Sequence, residues 1–257
     1  MITIKSAREI ELMRHAGHIV AKAHQLIRAH VRPGVTTKEL DQLVHRFIEQ
    51  EGAVPSFLGY RGYPASICAS VNEEVVHGIP SNRRLVEGDI LSVDIGVQYQ
   101  GYHGDSAWTY AVGKISKAHQ QLLEITEQAL YVAIDAAKVG GPVGQIGAAV
   151  EAFIQPYGYG IVEEFTGHGV GRELHEEPPV PNFGDPNEGA ILKPGMTLAV
   201  EPMINLGTKR VKVLKDGWTA ITADRQVSAH FEHTVVLTES GYDILTTTKK
   251  EDTNGKG

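Results

Sequence analysis

The chain has 257 residues, of which 42% are hydrophobic and 21% charged, and this composition predicts one large globular domain or two fused halves. The net charge of −7 argues against a protein that binds nucleic acid by neutralising phosphates. Cys68 is the one cysteine, which excludes an internal disulfide. No secretory signal and no run of about 18 apolar residues is visible. We therefore expect a cytoplasmic protein.

Two capping boxes predict the first helices. Ser6 with Glu9 begins a helix that extends to about residue 29, and Thr36 with Glu39 begins one that extends to about residue 50. Further elements are predicted by hydrophobic periodicity. They are strands near 65–71, 90–97 and 102–112, helices near 116–138 and 144–156, and strands near 161–166, 197–204, 209–214 and 228–238. Helices followed by strands, twice, indicate an α+β fold with mostly antiparallel sheet.

The chain repeats itself. "RPGVTTKELDQLVHRFIEQEG" (32–52) is similar to "KVGGPVGQIGAAVEAFIQPYG" (138–158), and "LVEGDILSVDI" (85–95) is similar to "LKPGMTLAVEP" (192–202). The two pairs have almost the same offset, which indicates a twofold repeat of about 107 residues. We expect a single domain over 1–248, with halves of about 1–113 and 114–248. The polar end, 249–257, is expected to be a disordered tail.

A hairpin in the first half carries two acids. "DILSVDIGVQYQGYHGDSAWTYAVG" predicts two strands joined by a turn at 98–101, which would place Asp94 directly opposite Asp105. Alternation puts both on one face with Ser92 and His103. Two opposed carboxylates are destabilising. Either one of them is protonated or a cation lies between them, unless the face is simply solvated.

Two more acids lie in apolar segments, Glu201 in "MTLAVEPMI" and Glu232 in "VSAHFEHTVVLT". Glu201 coincides with Asp94 in the repeat. Burying a carboxylate without a partner is costly, although a surface strand tolerates one. "TGHGVGRELHEEP" (166–178) adds His168 and His175, which taken alone are more typical of a polar loop.

These residues together suggest a metal site. The four acids and His168 would form a mainly oxygen-donor site for two divalent ions of the kind Mn²⁺, Fe²⁺, Co²⁺ or Zn²⁺. Two such ions can share a hydroxide that attacks a carbonyl group while both stabilise the oxyanion.

These segments, in this order, resemble the type I methionine aminopeptidases, in the minimal bacterial form without an N-terminal extension. The similarity covers nearly the whole chain and is carried by "GYRGYPASICASVNEEVVHGIP", "GDILSVDIGV", "GYHGDSA", "TGHGVGRELHEEP", "MTLAVEPM" and "DGWTAITADRQVSAHFEHT". It implies the pita-bread fold. It also implies a hydrolase that removes the initiator methionine from nascent proteins with a small second residue, by attack of a metal-bound hydroxide on the scissile carbonyl.

The resemblance also implies residue roles. The metal ligands would be Asp94, Asp105, His168, Glu201 and Glu232, with Asp105 and Glu232 bridging both ions. The catalytic residues would be His77 at the scissile amide, His175 at the carbonyl oxygen, and Glu201 as acceptor of the nucleophile's proton. The methionine pocket would be an apolar slot formed by Tyr60, Tyr63, Cys68 and Trp218, which suits an unbranched thioether.

Further implied features concern ions and partners. A monovalent cation would lie near Asn72 and Ser228. The substrates would be nascent chains near the ribosome exit, met by a monomer that binds neither nucleic acid nor membrane. Leu174 stands where the family commonly has an aromatic residue, and His230 stands where Gln is usual. His230 is expected to alter the surroundings of Glu232 or to add a ligand.

Two alternatives remain open. One is an Xaa-Pro aminopeptidase or prolidase-like peptidase of the same fold. The other is a non-catalytic binding protein, although such proteins typically lose metal ligands.

Overall fold

The computed structural model describes residues 2–248. The tail predicted at 249–257 lies outside the described residues. Within residues 2–248, no helix combines the length and the apolar character that crossing a membrane requires.

Among the described residues, four α-helices form where the sequence predicts them: α1 (Ala7–His30), α2 (Thr37–Gln50), α3 (Lys117–Ala136) and α4 (Gly144–Ile154). Both capping boxes are present, with each N-cap side chain accepting from the N3 backbone and each N3 glutamate accepting from the N-cap backbone. Two short 3₁₀ helices also occur, at Tyr60–Gly62 and Gln155–Tyr157.

Fifteen strands are assigned among the described residues. They are β1 (Val54–Pro55), β2 (Ile67–Val71), β3 (Glu74–Val76), β4 (Ile90–Tyr99), β5 (Tyr102–Ala111), β6 (Gly160–Ile161), β7 (Gly167–Gly169), β8 (Glu176–Val180), β9 (Thr197–Val200), β10 (Met203–Asn205), β11 (Val211–Val213), β12 (Ala220–Thr222), β13 (Ser228–His230), β14 (His233–Thr238) and β15 (Gly241–Ile244).

The strands form four antiparallel sheets, as the sequence predicts for an α+β fold. A first-half sheet has the order β1–β4–β2 with β5 paired to β4, and a second-half sheet has the order β15–β14–β9–β7–β8. Two smaller sheets, β13–β10–β6 and β11–β12–β3, complete the set. The two largest hydrophobic cores of the described residues lie between α1, α2 and the first-half sheet, and between α3, α4 and the second-half sheet.

The two halves are hydrogen-bonded to each other beside two of the acids. The backbone N–H of Glu232 donates to the Ala107 carbonyl at 2.9 Å. The Thr234 hydroxyl accepts from the Asp105 N–H at 3.0 Å and lies 2.8 Å from the Asp105 carbonyl. These bonds place Asp105, from the first half, next to Glu232, from the second.

The predicted hairpin register is wrong. Asp94 pairs with Ala107 and Asp105 pairs with Gly96. The turn is the two-residue step Gln100–Gly101, with φ of 48° and 84°, and positive φ at both positions is typical of the type I′ turns that join twisted strands. The shift preserves the faces, so the two carboxylates are diagonal rather than opposed neighbours on one face.

Four predicted strands are divided or clearly shorter than expected, including the strand at 209–214, which is reduced to β11. The strand at 197–204 divides into β9 and β10 around Glu201, and the strand at 228–238 divides into β13 and β14 around Glu232. Pro202, which cannot donate to a ladder, follows Glu201 directly. The strand predicted at 161–166 is reduced to β6, and β7 begins only at Gly167.

Candidate metal centre

One cavity between the halves brings together the residues that the sequence singled out. Asp94 comes from β4, Asp105 from β5 and His168 from β7, while Glu201 and Glu232 occupy the two strand interruptions. The lining of this cavity includes all five implied ligands, both implied catalytic histidines and all four implied pocket residues.

Glycines explain how β7 delivers His168. β7 lies between β8 and β9, with His168 paired to Ala199. A Cβ at Gly167 would lie 2.3 Å from the Ala199 carbonyl oxygen, and one at Gly169 would lie 2.3 Å from the Glu177 carbonyl oxygen. Only glycine fits between these backbones, so the flanking glycines let the strand present one imidazole to the cavity.

The His168 ring is oriented to offer a lone pair to the cavity. Its Nδ1 donates to the Gly169 carbonyl at 2.8 Å, and because that oxygen only accepts, Nε2 is the deprotonated nitrogen. Nε2 lies 3.5 Å from Glu201 Oε1 and 3.8 Å from Asp105 Oδ2. Burial lowers the pKa of His168 to about 4, which keeps the ring neutral. A backbone carbonyl that fixes the tautomer is typical of a metal-binding histidine.

The four acids lie close together in a buried environment, which disfavours the charged form of each carboxyl group. Burial, and then the charge of Asp105, raise the pKa of Asp94 and of Glu201 well above their ordinary values. The same causes, with Glu201 added, raise the pKa of Glu232, and burial raises the pKa of Asp105 to about 7. In the protein alone, this arrangement is stable only if protons or cations neutralise it.

In the part of the chain that the structure describes, three buried carboxylate oxygens have no hydrogen-bond donor: Asp94 Oδ1, Asp105 Oδ1 and Glu232 Oε1. Leaving such atoms unsatisfied is costly, and a divalent cation would satisfy them. Among the described residues, two groups of three residues could each hold a metal ion, because their ligand atoms lie within 4.8 Å of one another. One group is Asp105, His168 and Glu232, and the other is Glu201, His230 and Glu232. The two groups share Glu232, and this donor set fits oxygen-preferring divalent ions.

His175 and His77 lie at the cavity wall. Nδ1 of His175 is 2.8 Å from the Tyr60 hydroxyl, and its ring lies 4.2 Å from that of His168. Desolvation, and then the neighbouring His168, lower the pKa of His175. His77, held at a φ of 60°, meets Phe165 edge-on at 5.3 Å, and desolvation lowers its pKa.

An apolar pocket adjoins the acids. Tyr63, Cys68 and Leu174 are buried in it with Phe57, and Trp218 packs against them. Cys68 is paired across β2 and β4 with Asp94, so the pocket and the acids share a boundary. Burial, followed by the Asp94 charge, raises the pKa of the Cys68 thiol well above its ordinary value. The thiol is therefore a small neutral wall of the pocket.

Sequence reasoning missed two aromatic residues of this cavity, Phe57 and Phe165. Nothing in their spacing distinguishes them from core residues, although Phe165 directly precedes the glycine-rich segment around His168.

Asn72 and Ser228 do not line the cavity. They are linked by a bond from the Ser228 N–H to the Asn72 carbonyl at 2.9 Å.

Residues 11–239 match the family model for metallopeptidase family M24. The chain is 53% identical to methionine aminopeptidase 1 of Bacillus subtilis (strain 168), over 96% of this chain and 99% of that protein. The crystal structure of a methionine aminopeptidase from Thermotoga maritima has a TM-score of 0.95 and 45% identity, and covers 96% of this chain and 100% of its own.

A more distant structure, a prolidase from Pyrococcus furiosus, has a TM-score of 0.78 and 26% identity. It covers 96% of this chain, which spans 66% of the prolidase. The similarity to both groups confirms the implied pita-bread fold.

Proposed function

The chain belongs to metallopeptidase family M24, and we propose that it removes the N-terminal methionine from peptides and nascent proteins whose second residue is small. One observation supports this most: two carboxylate–imidazole groups share Glu232 at the edge of an apolar pocket. The proposed site therefore combines a metal-binding centre with an adjacent pocket that accepts an unbranched apolar side chain.

In the proposed centre, Asp94, Asp105, His168, Glu201 and Glu232 would hold two divalent ions, with Asp105 and Glu232 as the residues that both ions would share. Two observations support these residues as metal ligands. Three of the acids each have a buried carboxylate oxygen without a hydrogen-bond donor, and the Nε2 of His168 carries a lone pair because its Nδ1 is bonded to the Gly169 carbonyl. When bound, such ions polarise a carbonyl group and lower the pKa of water. The metal used in the cell would be Mn²⁺, Fe²⁺, Co²⁺ or Zn²⁺.

The protein's own groups are proposed to handle the substrate. His175 donates a hydrogen bond to the scissile carbonyl oxygen as negative charge develops there, and His77 binds the amide side. The Glu201 carboxylate accepts the proton of the attacking water. The position of Glu201 in the cavity lining, 3.5 Å from His168 Nε2, supports this role, because a general base must lie within reach of the proton that it accepts.

The methionine side chain is proposed to occupy the pocket of Tyr60, Tyr63, Cys68 and Trp218. The Tyr63 hydroxyl lies 3.1 and 3.0 Å from the Ile67 and Gly78 carbonyl oxygens, which share its single proton, so its ring is held in place. The Trp218 ring meets it edge-on at 5.1 Å. A rigid aromatic wall beside a small thiol suits a flexible, polarizable thioether.

We also propose a monovalent cation beside Asn72 and Ser228. Asn72 has a φ of 55°, and its side chain bonds to both Asp89 and Ile90, which fixes the loop there. The enzyme is proposed to act in the cytoplasm as a monomer on nascent chains near the ribosome exit, without contacting nucleic acid directly.

Metal removal and return tests the function. The protein is stripped by chelation, then supplied in turn with Mn²⁺, Co²⁺, Fe²⁺ or Zn²⁺, and methionine release from Met-Ala-Ser is measured beside an Xaa-Pro peptide. We expect release from Met-Ala-Ser that returns with metal and falls at least about 100-fold in Asp105→Asn.

Each other outcome has a definite meaning. Cleavage of only the Xaa-Pro peptide would favour the prolidase-like alternative. A folded protein that binds two ions and cleaves neither peptide would contradict a peptidase role, and one that binds no divalent ion would support a non-catalytic protein.

A further inference from the structure

His230 is a buried histidine that lies beside Glu201, one of the proposed metal ligands. It is the last residue of β13, and its side chain is 2% exposed. Its backbone N–H donates to the Thr109 hydroxyl at 2.9 Å, and the same hydroxyl donates back to its carbonyl at 2.9 Å. The strand is thereby tied to β5, which fixes the backbone of His230 beside the acids.

Within residues 2–248, the Nε2 atom of this ring has no hydrogen-bond partner, although it is buried. It lies 3.2 Å from Glu201 Oε2, while His168 Nε2 lies 3.5 Å from Glu201 Oε1. One carboxylate thus has an imidazole nitrogen beside each of its oxygens. An unpartnered buried nitrogen costs free energy, and a metal ion is one group that would satisfy it.

Glu232 completes the arrangement. Ligand atoms of Glu201, His230 and Glu232 all lie within 4.8 Å of one another. The second group, Asp105 with His168 and Glu232, has the same spacing and the same mixture of carboxylate and imidazole. His230 therefore occupies, relative to Glu232, a place comparable to that of His168.

We propose that His230 is a sixth metal ligand, which binds through Nε2 the ion held by Glu201 and Glu232. This inference rests on the proposed two-metal function and deepens it. The added imidazole shifts the preference of the centre toward ions that favour nitrogen donors, such as Zn²⁺ and Co²⁺, and away from Mn²⁺. The competing role is a ring that donates through Nε2–H to Glu201 and only orients it.

The two roles differ in what a glutamine would do. In His230→Gln the side chain keeps an N–H donor for Glu201 but loses the imidazole. A merely orienting residue is replaced well by this change, whereas a ligand is not. His103→Gln is the matched control, because the His103 ring is buried nearby but both of its nitrogens are occupied, by Ser56 at 2.8 Å and Gln98 at 3.2 Å.

Metal affinity is the first readout. Metal-free wild type, His230→Gln and His103→Gln are titrated calorimetrically with Zn²⁺, Co²⁺ and Mn²⁺. We expect His230→Gln to weaken one of the two sites about 10- to 100-fold for Zn²⁺ and Co²⁺ and much less for Mn²⁺, with His103→Gln like the wild type. Equal affinities in all three proteins would overturn the inference.

A second readout needs no variant. In the Co²⁺-loaded wild type, each bound imidazole contributes a strongly shifted, exchangeable N–H proton resonance. Two resonances are expected, from His168 and His230, and one would remain in His230→Gln. A single resonance in the wild type would overturn the inference even if the variant fails to fold. If methionine release still depends on metal, the proposed function would stand.

Discussion

The Tyr60 hydroxyl lies 2.8 Å from Nδ1 of His175, and their rings are stacked with centroids 5.3 Å apart. This contact joins a residue expected to line the methionine pocket to one expected to contact the scissile carbonyl. With Nδ1 occupied, Nε2 is the ring nitrogen left free for the proposed contact with substrate. We therefore predict that Tyr60 positions the His175 ring in addition to lining the proposed methionine pocket.

Tyr60→Phe tests this coupling. Removing the hydroxyl leaves the ring contact but frees the His175 imidazole to rotate and change tautomer, so we expect kcat for Met-Ala-Ser to fall about 10-fold. The KM should change less, because the aromatic wall remains. Steady-state kinetics would measure both, with Tyr99→Phe, at the hairpin tip, as the control. A larger change in KM than in kcat would contradict the positioning role.

His175→Ala and His77→Ala should separate substrate chemistry from metal binding. Neither histidine belongs to the two groups of candidate ligands among the described residues. We therefore expect each variant to lose about 100- to 1000-fold in kcat while keeping the metal content of the wild type. His168→Ala should instead lose metal. Elemental analysis of dialysed protein beside the kinetics would distinguish the two classes.

Gly96→Ala should change the shape of the apolar pocket by displacing Phe57. A Cβ at this position would lie 2.6 Å from Phe57 Cε1 and 2.9 Å from Ser56 Cβ, so Phe57 must shift. We expect a raised KM for methionine peptides and a melting temperature lower by several degrees, since overpacking costs about 1–3 kcal/mol.

The control for this substitution is Gly101→Asn, because the turn position has no atom within 4 Å of an added Cβ and Asn tolerates its positive φ. Its KM should match that of the wild type. An unchanged KM in Gly96→Ala would show that Phe57 does not shape the pocket.

His24 should contribute to the pH dependence of stability. Its ring is buried between the Tyr110 hydroxyl at 2.8 Å and the Ser106 carbonyl at 2.9 Å, and burial lowers its pKa from 6.5 to about 4. Between these values the unfolded chain binds a proton that the folded chain does not. The stabilisation is therefore present above about pH 6.5 and decreases as the pH falls toward about 4.

His24→Gln should remove this dependence. Urea unfolding of the metal-free protein at about pH 7.5 and about pH 5 should show that the loss of unfolding free energy between them is smaller by about 2 kcal/mol in the variant. The variant should also be less stable at both values. An identical pH dependence of the unfolding free energy in the two proteins would show that groups other than His24 cause it.

Local chemistry made much of the fold predictable. Ser6 with Glu9 and Thr36 with Glu39 identify helix starts because the capping contacts form within four residues. Asp94, Asp105, Glu201 and Glu232 were recognisable as candidate ligands because acids are unusual in apolar strands. The glycines beside His168 indicated a close backbone approach, which the contacts with Ala199 and Glu177 show.

Other features depended on contacts between distant segments. The hairpin register followed from the twist that Gln100 and Gly101 accommodate, and a turn one position away has a similar composition. The strand interruption at Glu232 lies where the backbone of the second half bonds to Ala107 of the first. His230 lies beside Glu201 because β13 pairs with β10, with His230 opposite Met203, and these strands are about 25 residues apart in the chain.

The sequence by itself determined the elements, the twofold repeat and the chemical types of the site, because these depend on local propensity and on a pattern of acids, glycines and histidines. Only the tertiary structure decided which atoms meet. The position of a buried carboxylate or imidazole depends on register, strand interruption and the docking of two halves, and these are set by packing across long sequence separations.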